Sequence, residues 1–503
     1  LSPEQALSAT SESLTLSPLL DRLRPLLAAQ KTPVYLVGGA VRDALLGRSS
    51  DDLDFVVPER AIGLAFRVGD ALSLPAYALD RDRDTGRVVV PEHLSGGRKT
   101  TLDFARYRAA NLEGDLRARD FTINAMALPV AGTRAADILD PLGGRADLEA
   151  GLVRQTYARA LHDDPVRTLR AIRMAIVLGF QLVPETVEAI RAAAPRIQEV
   201  SPERVRDELL KLLDGREPDR ALQMMHDLAL LPAVLPEIAA LEKVEQSAPH
   251  HEDVLAHTIS TVRRLVALED ALFRASETSP PLDAARQRLA PYAGRLRAHF
   301  ARRVDGELTG QLLLRLGALF HDSGKAETQR RDDEGRIRFF GHGEVGARLA
   351  TGRLRALRLS KEAVQHVQTV VATHMRPLLL SREDTVSRRA IFRFFRAAGS
   401  AGLDVGLLSL ADHLATYGGA GDEGSWEHML DVVAGLYRHY FESYEETIAP
   451  RPLVDGNELM TVLGIEPGPE VGRLLDLLEE AQAAGEIATA EEALALARRA
   501  HHK

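Results

Sequence analysis

Apolar positions recur along this chain in two rhythms. Between about 30 and 150 strand-like and helix-like stretches alternate. Val34-Tyr35-Leu36-Val37 is a short apolar run ending in Gly38-Gly39, followed by a helical pattern to Leu46 and a stop at Gly47. Leu53 to Val57 and Thr100 to Tyr107 also predict strands. From 151 to 240 the period is almost purely helical, and from 241 to 420 it is helical and rich in histidine. Within that stretch 275–310, with Pro280-Pro281 and scattered charge, predicts an insertion or a long connection. Behind the glycines Gly418, Gly419, Gly421 and Gly424 the pattern predicts a helical tail. The expected class is α+β, a small mixed sheet with helices and then largely helical segments. The expected domains are 1–150, 151–240, 241–420 and 421–503.

Composition narrows the chemistry. At about 100–200 residues per domain, 503 residues fit three or four domains. Hydrophobic residues at 45% and charged residues at 27% exclude disordered and fibrous classes. The absence of cysteine excludes disulfides, thiol nucleophiles and Cys-bound zinc, so any metal must sit on His, Asp or Glu. A net charge of −9 excludes a protein that is basic everywhere but not a local basic groove. Leu1 to Leu20 lacks the basic start and apolar run of a signal peptide, and the run Leu228–Ala240 is broken by Pro232, Pro236 and Glu237. A cytoplasmic protein is expected.

The first cluster of chemistry is Gly38-Gly39, Arg42-Asp43 and Asp52-Leu53-Asp54. A strand running through Gly-Gly into a helix presents backbone N–H groups to an anion, and Arg42 lies one turn further on. Asp52 and Asp54, two apart on a strand, project from one face. Two carboxylates side by side need a cation between them, and Mg²⁺ takes such oxygens together with substrate phosphates. Asp103, on the strand Leu102–Ala105, is a third carboxylate for that site.

The stretch Leu36-Val37-Gly38-Gly39-Ala40-Val41-Arg42-Asp43, with Asp51-Asp52-Leu53-Asp54-Phe55, resembles the bacterial tRNA nucleotidyltransferase/poly(A) polymerase family. These are CCA-adding enzymes of the class II type, with a polymerase-β-like head. Arg119-Asp120-Phe121-Thr122-Ile123-Asn124 is similar to the family's ribose-recognition motif, and Asp140-Pro141-Leu142-Gly143-Gly144 to its hinge. Asp163-Asp164-Pro165-Val166-Arg167, through Arg170 and Arg173, resembles its nucleotide-selecting helix, and Ser201-Pro202-Glu203-Arg204-Val205 the neck motif that follows. The resemblance implies Mg²⁺ on Asp52 and Asp54, with triphosphate and ribose held by Arg119 and Asp120, Asn124 in support. It implies attack by the 3′-OH of tRNA on CTP or ATP. Where the family usually has Arg-Arg-Asp, this chain has Ala118-Arg119-Asp120, which leaves one cation to be supplied elsewhere, and Asp163 stands where Glu is usual.

Asp163 and Asp164 lie four and three residues before Arg167, and on one helix a carboxylate and a guanidinium can imitate a Watson–Crick edge. Asp164 before Pro165 also fits a helix N-cap. Only ten residues, Ala109 to Ala118, join the strand ending at Arg108 to Arg119. Relatives that add C, C and A carry a longer loop there, so the resemblance implies a CC-adding enzyme with a separate A-adding partner.

A second cluster is His257, His321-Asp322-Ser323-Gly324-Lys325, His342, His374 and Asp412. This order resembles an HD phosphohydrolase domain. His257, His321, Asp322 and Asp412 form the expected metal site, and His342 and His374 are candidates for a second metal. Imidazole with carboxylate suits Mn²⁺, Ni²⁺, Fe²⁺ or Zn²⁺ better than Mg²⁺. Lys325 is placed to face a phosphate. In the tail, Gly472 is a candidate RNA contact, and Arg154, Arg159, Arg167, Arg170 and Arg173 are candidates for a basic track. Aromatic residues at 5% and the single Trp426 argue for recognising a folded RNA by shape. The rival readings are a poly(A) polymerase and an HD phosphohydrolase with an RNA-binding head.

Overall fold

The computed structural model describes residues 14–50, 52–91, 100–274, 279–306, 308–419, 421 and 423–501. Asp51 of the acidic motif and most of the Ser/Thr-rich N-terminus lie outside the described residues. The chain forms two compact units. One holds the described residues up to Glu208 together with Asp227–Leu230, and the other Leu209–His226 and the described residues from Leu231 onward.

In the first unit, α1 (Pro18–Ala28) leads to β1 (Tyr35–Val37), α2 (Gly39–Leu45), β2 (Leu53–Val57) and α3 (Ala61–Leu72). Then follow β3 (Ala76–Asp80), β4 (Thr85–Val90), β5 (Thr100–Arg106), α4 (Leu112–Arg117) and β6 (Ala127–Pro129). The strands form one mixed sheet in the order β3-β4-β5-β2-β1-β6. Only the central pair β2–β5 is parallel. Leu53, Phe55 and Val57 alternate into a core with Leu20, Leu23, Leu64 and Val88. Phe55 stacks on Phe104 with ring centroids 5.0 Å apart, which fixes the β2–β5 register. The β3–β4 hairpin has no counterpart in the expected elements. Its turn residue Asp84 accepts the N–H groups of Ala61 and Ile62, both at 3.0 Å, at the start of α3. After the sheet, α5 (Arg167–Leu178) buries Leu169, Ile172 and Ala175, and α6 (Pro202–Leu213) follows. The stretch from 151, expected to be almost purely helical, also pairs Leu152–Val153 with Gln181–Leu182 as short parallel strands.

The second unit is nearly all helix: α7 (Val254–Phe273), α8 (Pro280–Leu289), α9 (Ala293–Ala301), α10 (Gly310–Phe320), α11 (His342–Ala356), α12 (Lys361–Thr373), α13 (Arg388–Ala398), α14 (Gly402–Thr416) and α15 (Glu423–Glu442). Its last helices are α16 (Gly456–Leu463), α17 (Pro469–Ala484) and α18 (Ala490–His501). α7 packs on α14, α10 on α12, and α12 on α11. The stretch 275–310, expected as an insertion or long connection, is instead largely α8 and α9 packed into this core. Leu289, Tyr292, Leu296 and Phe300 are buried at helical spacing, and Pro280-Pro281 opens α8 rather than breaking a helix. Residues 275–278 lie outside the described residues. Among the described residues no helix is long and apolar enough to cross a membrane.

Candidate active sites

In the first unit β2 carries Asp54 beside Asp103 of β5, its register partner, and opposite Val37 of β1. Asp52, just before β2, accepts from Thr100 Oγ1 at 3.0 Å and Thr101 N at 3.2 Å. A Cβ built on Gly38, whose φ is +75°, would meet Asp54 Oδ2 at 3.4 Å and Arg119 NH1 at 3.5 Å. The loop before α2, Asp54 and Arg119 therefore border one cleft. Asp54 keeps an exposed face, yet the protein packed around its carboxyl pushes it up to about 6; Arg119 pulls it down, and the carboxylates of Asp103 and Asp52 add to the rise. That is the electrostatic mark of a site short of positive charge.

The other expected head residues hold one another. Arg42 donates to Asp43 Oδ1 at 2.8 Å and to Asn124 Oδ1 at 2.7 Å. Asn124 donates to Asp120 Oδ1 at 3.2 Å, which also takes the Phe121 N–H at 2.8 Å. Arg170 sits 2.8 Å from Asp120 Oδ2. Burial alone would raise Asp120, but Arg170 and these hydrogen bonds outweigh it and hold the carboxyl below the ordinary range. Gly39 opens α2. Asp103 aligns with Asp54, yet its carboxylate takes two hydrogen bonds from Arg87, at 2.7 and 2.6 Å.

Asp163, Asp164 and Arg167 are not assembled into a base-reading edge in this conformation. Arg167, 9% exposed, donates to the carbonyls of Arg119 at 3.0 Å and Ala118 at 2.9 Å. Asp164 lies 3.6 Å from Arg167 Nε but is held at 2.8 Å by Arg204. It does not cap α5, whose N-cap is Val166. Asp163 ends a short helix, Ala160–Asp163, where Tyr157 and Arg159 bond its carboxylate. The expected track is not a row of free cations: Arg154 pairs with Asp147, Arg159 with Asp163, Arg170 with Asp120 and Arg173 with Glu208.

In the second unit five helix ends and faces converge on Asp322. His321 Nε2 is 3.2 Å and His257 Nε2 3.7 Å from Asp322 Oδ2, and Asp412 Oδ1 is 2.9 Å from His257. On the other side, His342 Nε2 is 3.4 Å and His374 Nε2 3.8 Å from Asp322 Oδ1. Asp322 thus bridges two groups, each able to hold a metal ion: His257, His321, Asp322 and Asp322, His342, His374. The Nδ1 atoms of His321, His342 and His374 lie 2.7, 2.8 and 2.7 Å from the carbonyls of Ala318, Phe339 and Val371. That fixes the tautomer with Nδ1 protonated and turns each Nε2 lone pair inward. Two such lone pairs, on His342 and His374, face each other at 3.1 Å, and buried His321 Nε2 makes no hydrogen bond. Imidazole lone pairs crowded together without donors between them are an arrangement that a divalent cation relieves. Burial pushes His374 down to about 3, and the neighbouring imidazoles of His321 and His342 lower it further. Burial works against Asp322, yet His321 and Lys325 hold it well below the carboxylate range. Lys325 Nζ reaches Asp322 Oδ2 and Gln246 Oε1, both at 2.7 Å.

The structure adds residues that sequence reasoning left out. Arg204 belongs to the neck motif but had no role; its partner Asp164 lies forty residues away. His250 packs its ring 5.0 Å from His257, and burial with nearby Lys325 and His257 lowers it to about 4. The His250-His251-Glu252 text was a visible signal. Arg108, exposed at the end of the β5 stretch, has no ion pair among the described residues; desolvation and the cations Arg119 and Arg167 pull it below the ordinary arginine range. Trp426 is buried beside His413, and Gly472 is exposed on α17.

A mixed-sheet head with a carboxylate pair, joined in one chain to a helical His/Asp centre, defines a nucleotidyltransferase fused to an HD domain. Residues 34–154 match the poly A polymerase head domain, 179–241 the probable RNA and SrmB-binding site of polymerase A, and 295–417 the HD domain. The chain is 36% identical over 488 residues to the A-adding tRNA nucleotidyltransferase of Deinococcus radiodurans, covering 95% of this chain and 98% of that protein. It is also 36% identical over 470 residues to the CC-adding tRNA nucleotidyltransferase of Thermus thermophilus, covering 92% of each. The fold matches the Thermotoga maritima CCA-adding enzyme complexed with tRNA, at TM-score 0.55 and 21% identity over 97% of this chain and 96% of that one. The chain belongs to the tRNA nucleotidyltransferase/poly(A) polymerase family. The HD match begins after His257, so α7 brings His257 to this centre from outside the matched segment.

Proposed function

We propose that this protein is a template-independent tRNA nucleotidyltransferase that extends the tRNA 3′ end from CTP or ATP, acting in the cytoplasm. The observation that carries the reading is the cleft where Asp54, Arg119 and the Gly38 backbone converge in a chain of this family. The residues divide into a head at 1–150, a neck at 151–240, an HD domain at 241–420 and a tail at 421–503. Asp52 and Asp54 would hold Mg²⁺, which supplies charge neutralisation of the phosphates. Arg119 and Arg42 orient the triphosphate, Asp120 accepts from a ribose hydroxyl with Asn124 fixing its carboxylate, and Asp164 and Arg167 read the base. For Arg167 to do so, it must exchange the carbonyls of Ala118 and Arg119 for the base. The 3′-oxygen of tRNA forms a bond to the α-phosphorus, the bond to pyrophosphate breaks, and the hydroxyl proton leaves to solvent. Catalysis is positioning and electrostatics.

Two equally similar relatives carry different names, so similarity does not choose the nucleotide. The short connection favours CC addition: α4 is capped by Asn111, which accepts from Gly114 N at 2.8 Å, and it buries Asp115 and Leu116. In the HD domain, His257, His321, Asp322 and Asp412 would hold a transition metal, with His342 and His374 for a second. There the protein hydrolyses a phosphate ester, water adding to phosphorus as the ester oxygen leaves with a proton. The test is tRNA lacking CCA offered CTP, ATP or both. The expected product is two added C residues, lost in D52A while phosphatase activity persists. Efficient addition of A to tRNA ending in CC overturns the CC reading. ATP-only extension of unstructured RNA makes the protein a poly(A) polymerase.

A further inference from the structure

Beside the HD centre lies a feature the phosphohydrolase chemistry does not require. Phe340 is 78% exposed, more than any other large hydrophobic side chain among the described residues. It stands two residues before His342, and its neighbour Phe339 is tied to the centre twice. The Phe339 carbonyl holds His342 Nδ1 at 2.8 Å, and Lys325 Nζ lies 5.2 Å from the Phe339 ring centroid. A Cβ built on Gly341, the residue between Phe340 and His342, would meet nothing within 4 Å, so the surface there is open. The strand Ile337–Arg338 leads into this corner, paired with Arg330–Arg331. Arg330 and Arg338 are register partners, like charges directly opposite, an arrangement that costs stability unless an anion lies nearby. Asp332 takes Arg338 at 2.9 Å, whereas Arg330 has no ion pair among the described residues.

We propose that Phe340 is a stacking platform for the nucleobase of a terminal nucleotide, so that the HD site selects nucleoside phosphates at RNA ends over phosphate esters that lack a base. A flat, exposed aromatic face offers any base a π-surface without reading its sequence. Lys325, at the metal-binding centre, meets the terminal phosphate, and Arg330 and Arg338 attract the next phosphodiester. The inference rests on the HD reading above but concerns binding, which can be measured with or without turnover.

The experiment uses F340W in the full chain. The native Trp426 is 3% exposed, so emission change reports the new position. Adenosine 3′-phosphate should quench the emission saturably, and ribose 5-phosphate, with the same charge and no base, should not. In F340A the affinity for adenosine 3′-phosphate should fall at least about fivefold, with ribose 5-phosphate unchanged and F340Y restoring binding where F340L does not. R330E should weaken a trinucleotide severalfold and leave the mononucleotide unchanged. Equal binding of the two monophosphates, F340A without effect on nucleotide affinity, or a change of oligomeric state in F340A as its only effect overturns the proposal. Quenching without any phosphatase activity would reject HD turnover and keep the platform.

Discussion

Arg108 shows how one side chain can stand in for another. The family's usual Arg-Arg-Asp is Ala118-Arg119-Asp120 here, so the cleft lacks one cation by sequence. Arg108 has no ion pair of its own among the described residues; its backbone N–H donates to Asp115 at 2.9 Å, and loss of water with the charges of Arg119 and Arg167 outweighs Asp115 and Asp120 and lowers its guanidinium. Asp115, paired with Arg119 at 3.1 Å, offsets only part of the repulsion among these guanidinium groups, and a bound anion would relieve the rest. A charged hydrogen bond contributes about 1.5–3 kcal/mol. R108A should therefore raise KM for CTP about tenfold or more with little change in kcat, measured by steady-state addition to tRNA lacking CCA. A change in kcat alone would assign Arg108 elsewhere. This residue was not legible in the text, because Arg108 looked like the end of a strand and only folding brings it to Arg119. Asp54 and Asp52 were legible, since strand alternation alone puts two carboxylates on one face. Arg87 on Asp103 was not, because the β4 strand carrying it was not foreseen.

At the scale of elements, three helices are pinned by one buried carboxylate. Asp404 of α14 accepts His299 Nε2 of α9 at 2.8 Å and His366 Nε2 of α12 at 3.0 Å, and it is fully buried. Burial would raise its carboxyl, but the two imidazoles outweigh that and lower it. A carboxyl depressed below its unfolded value of about 3.9 gives stability that is complete above that value and lost as pH falls through the folded value. D404N should cost about 3 kcal/mol in urea unfolding at pH 7. The gap to wild type should close below about pH 4; a gap that widens in acid would refute the assignment. The site depends on such joints because α14 also carries Asp412, two turns beyond Asp404. Sequence reading singled out His257, His321, His342 and His374 through their order, but His299 and His366 are single histidines in helical text and point nowhere until α9 and α12 pack. The stretch 275–310 failed for a related reason. Its Leu289, Leu296 and Phe300 keep helical spacing, but Pro280-Pro281 reads as a break and is a helix start.

For the whole molecule, the absence of cysteine has a measurable consequence. Every proposed metal ligand is a carboxylate or an imidazole, so binding would compete with protons rather than with oxidation, and metal could be removed and restored without thiol chemistry. In the second unit two candidate ligand groups share Asp322, so replacing that one residue should disable both at once. A ligand that binds only the folded state stabilises it by RT ln(1 + [L]/Kd), about 2.7 kcal/mol at a hundredfold excess over Kd. After EDTA treatment, adding Mn²⁺ or Ni²⁺ should raise the melting temperature of the full chain. D322N should abolish that rise, and D52A, in the other unit, should leave it intact. D322N should itself lose some stability without metal, since Lys325 and the surrounding imidazoles lose their anion. The decisive quantity is therefore the metal-dependent increment and not the starting temperature. If D322N keeps the full increment, the ion binds elsewhere, and the convergence of His257, His321, His342 and His374 on Asp322 is a packing arrangement only. If D52A alone removes it, the stabilising site is the head cleft, where Asp54, at about 6, loses a proton to bind metal and affinity falls as pH drops below that value.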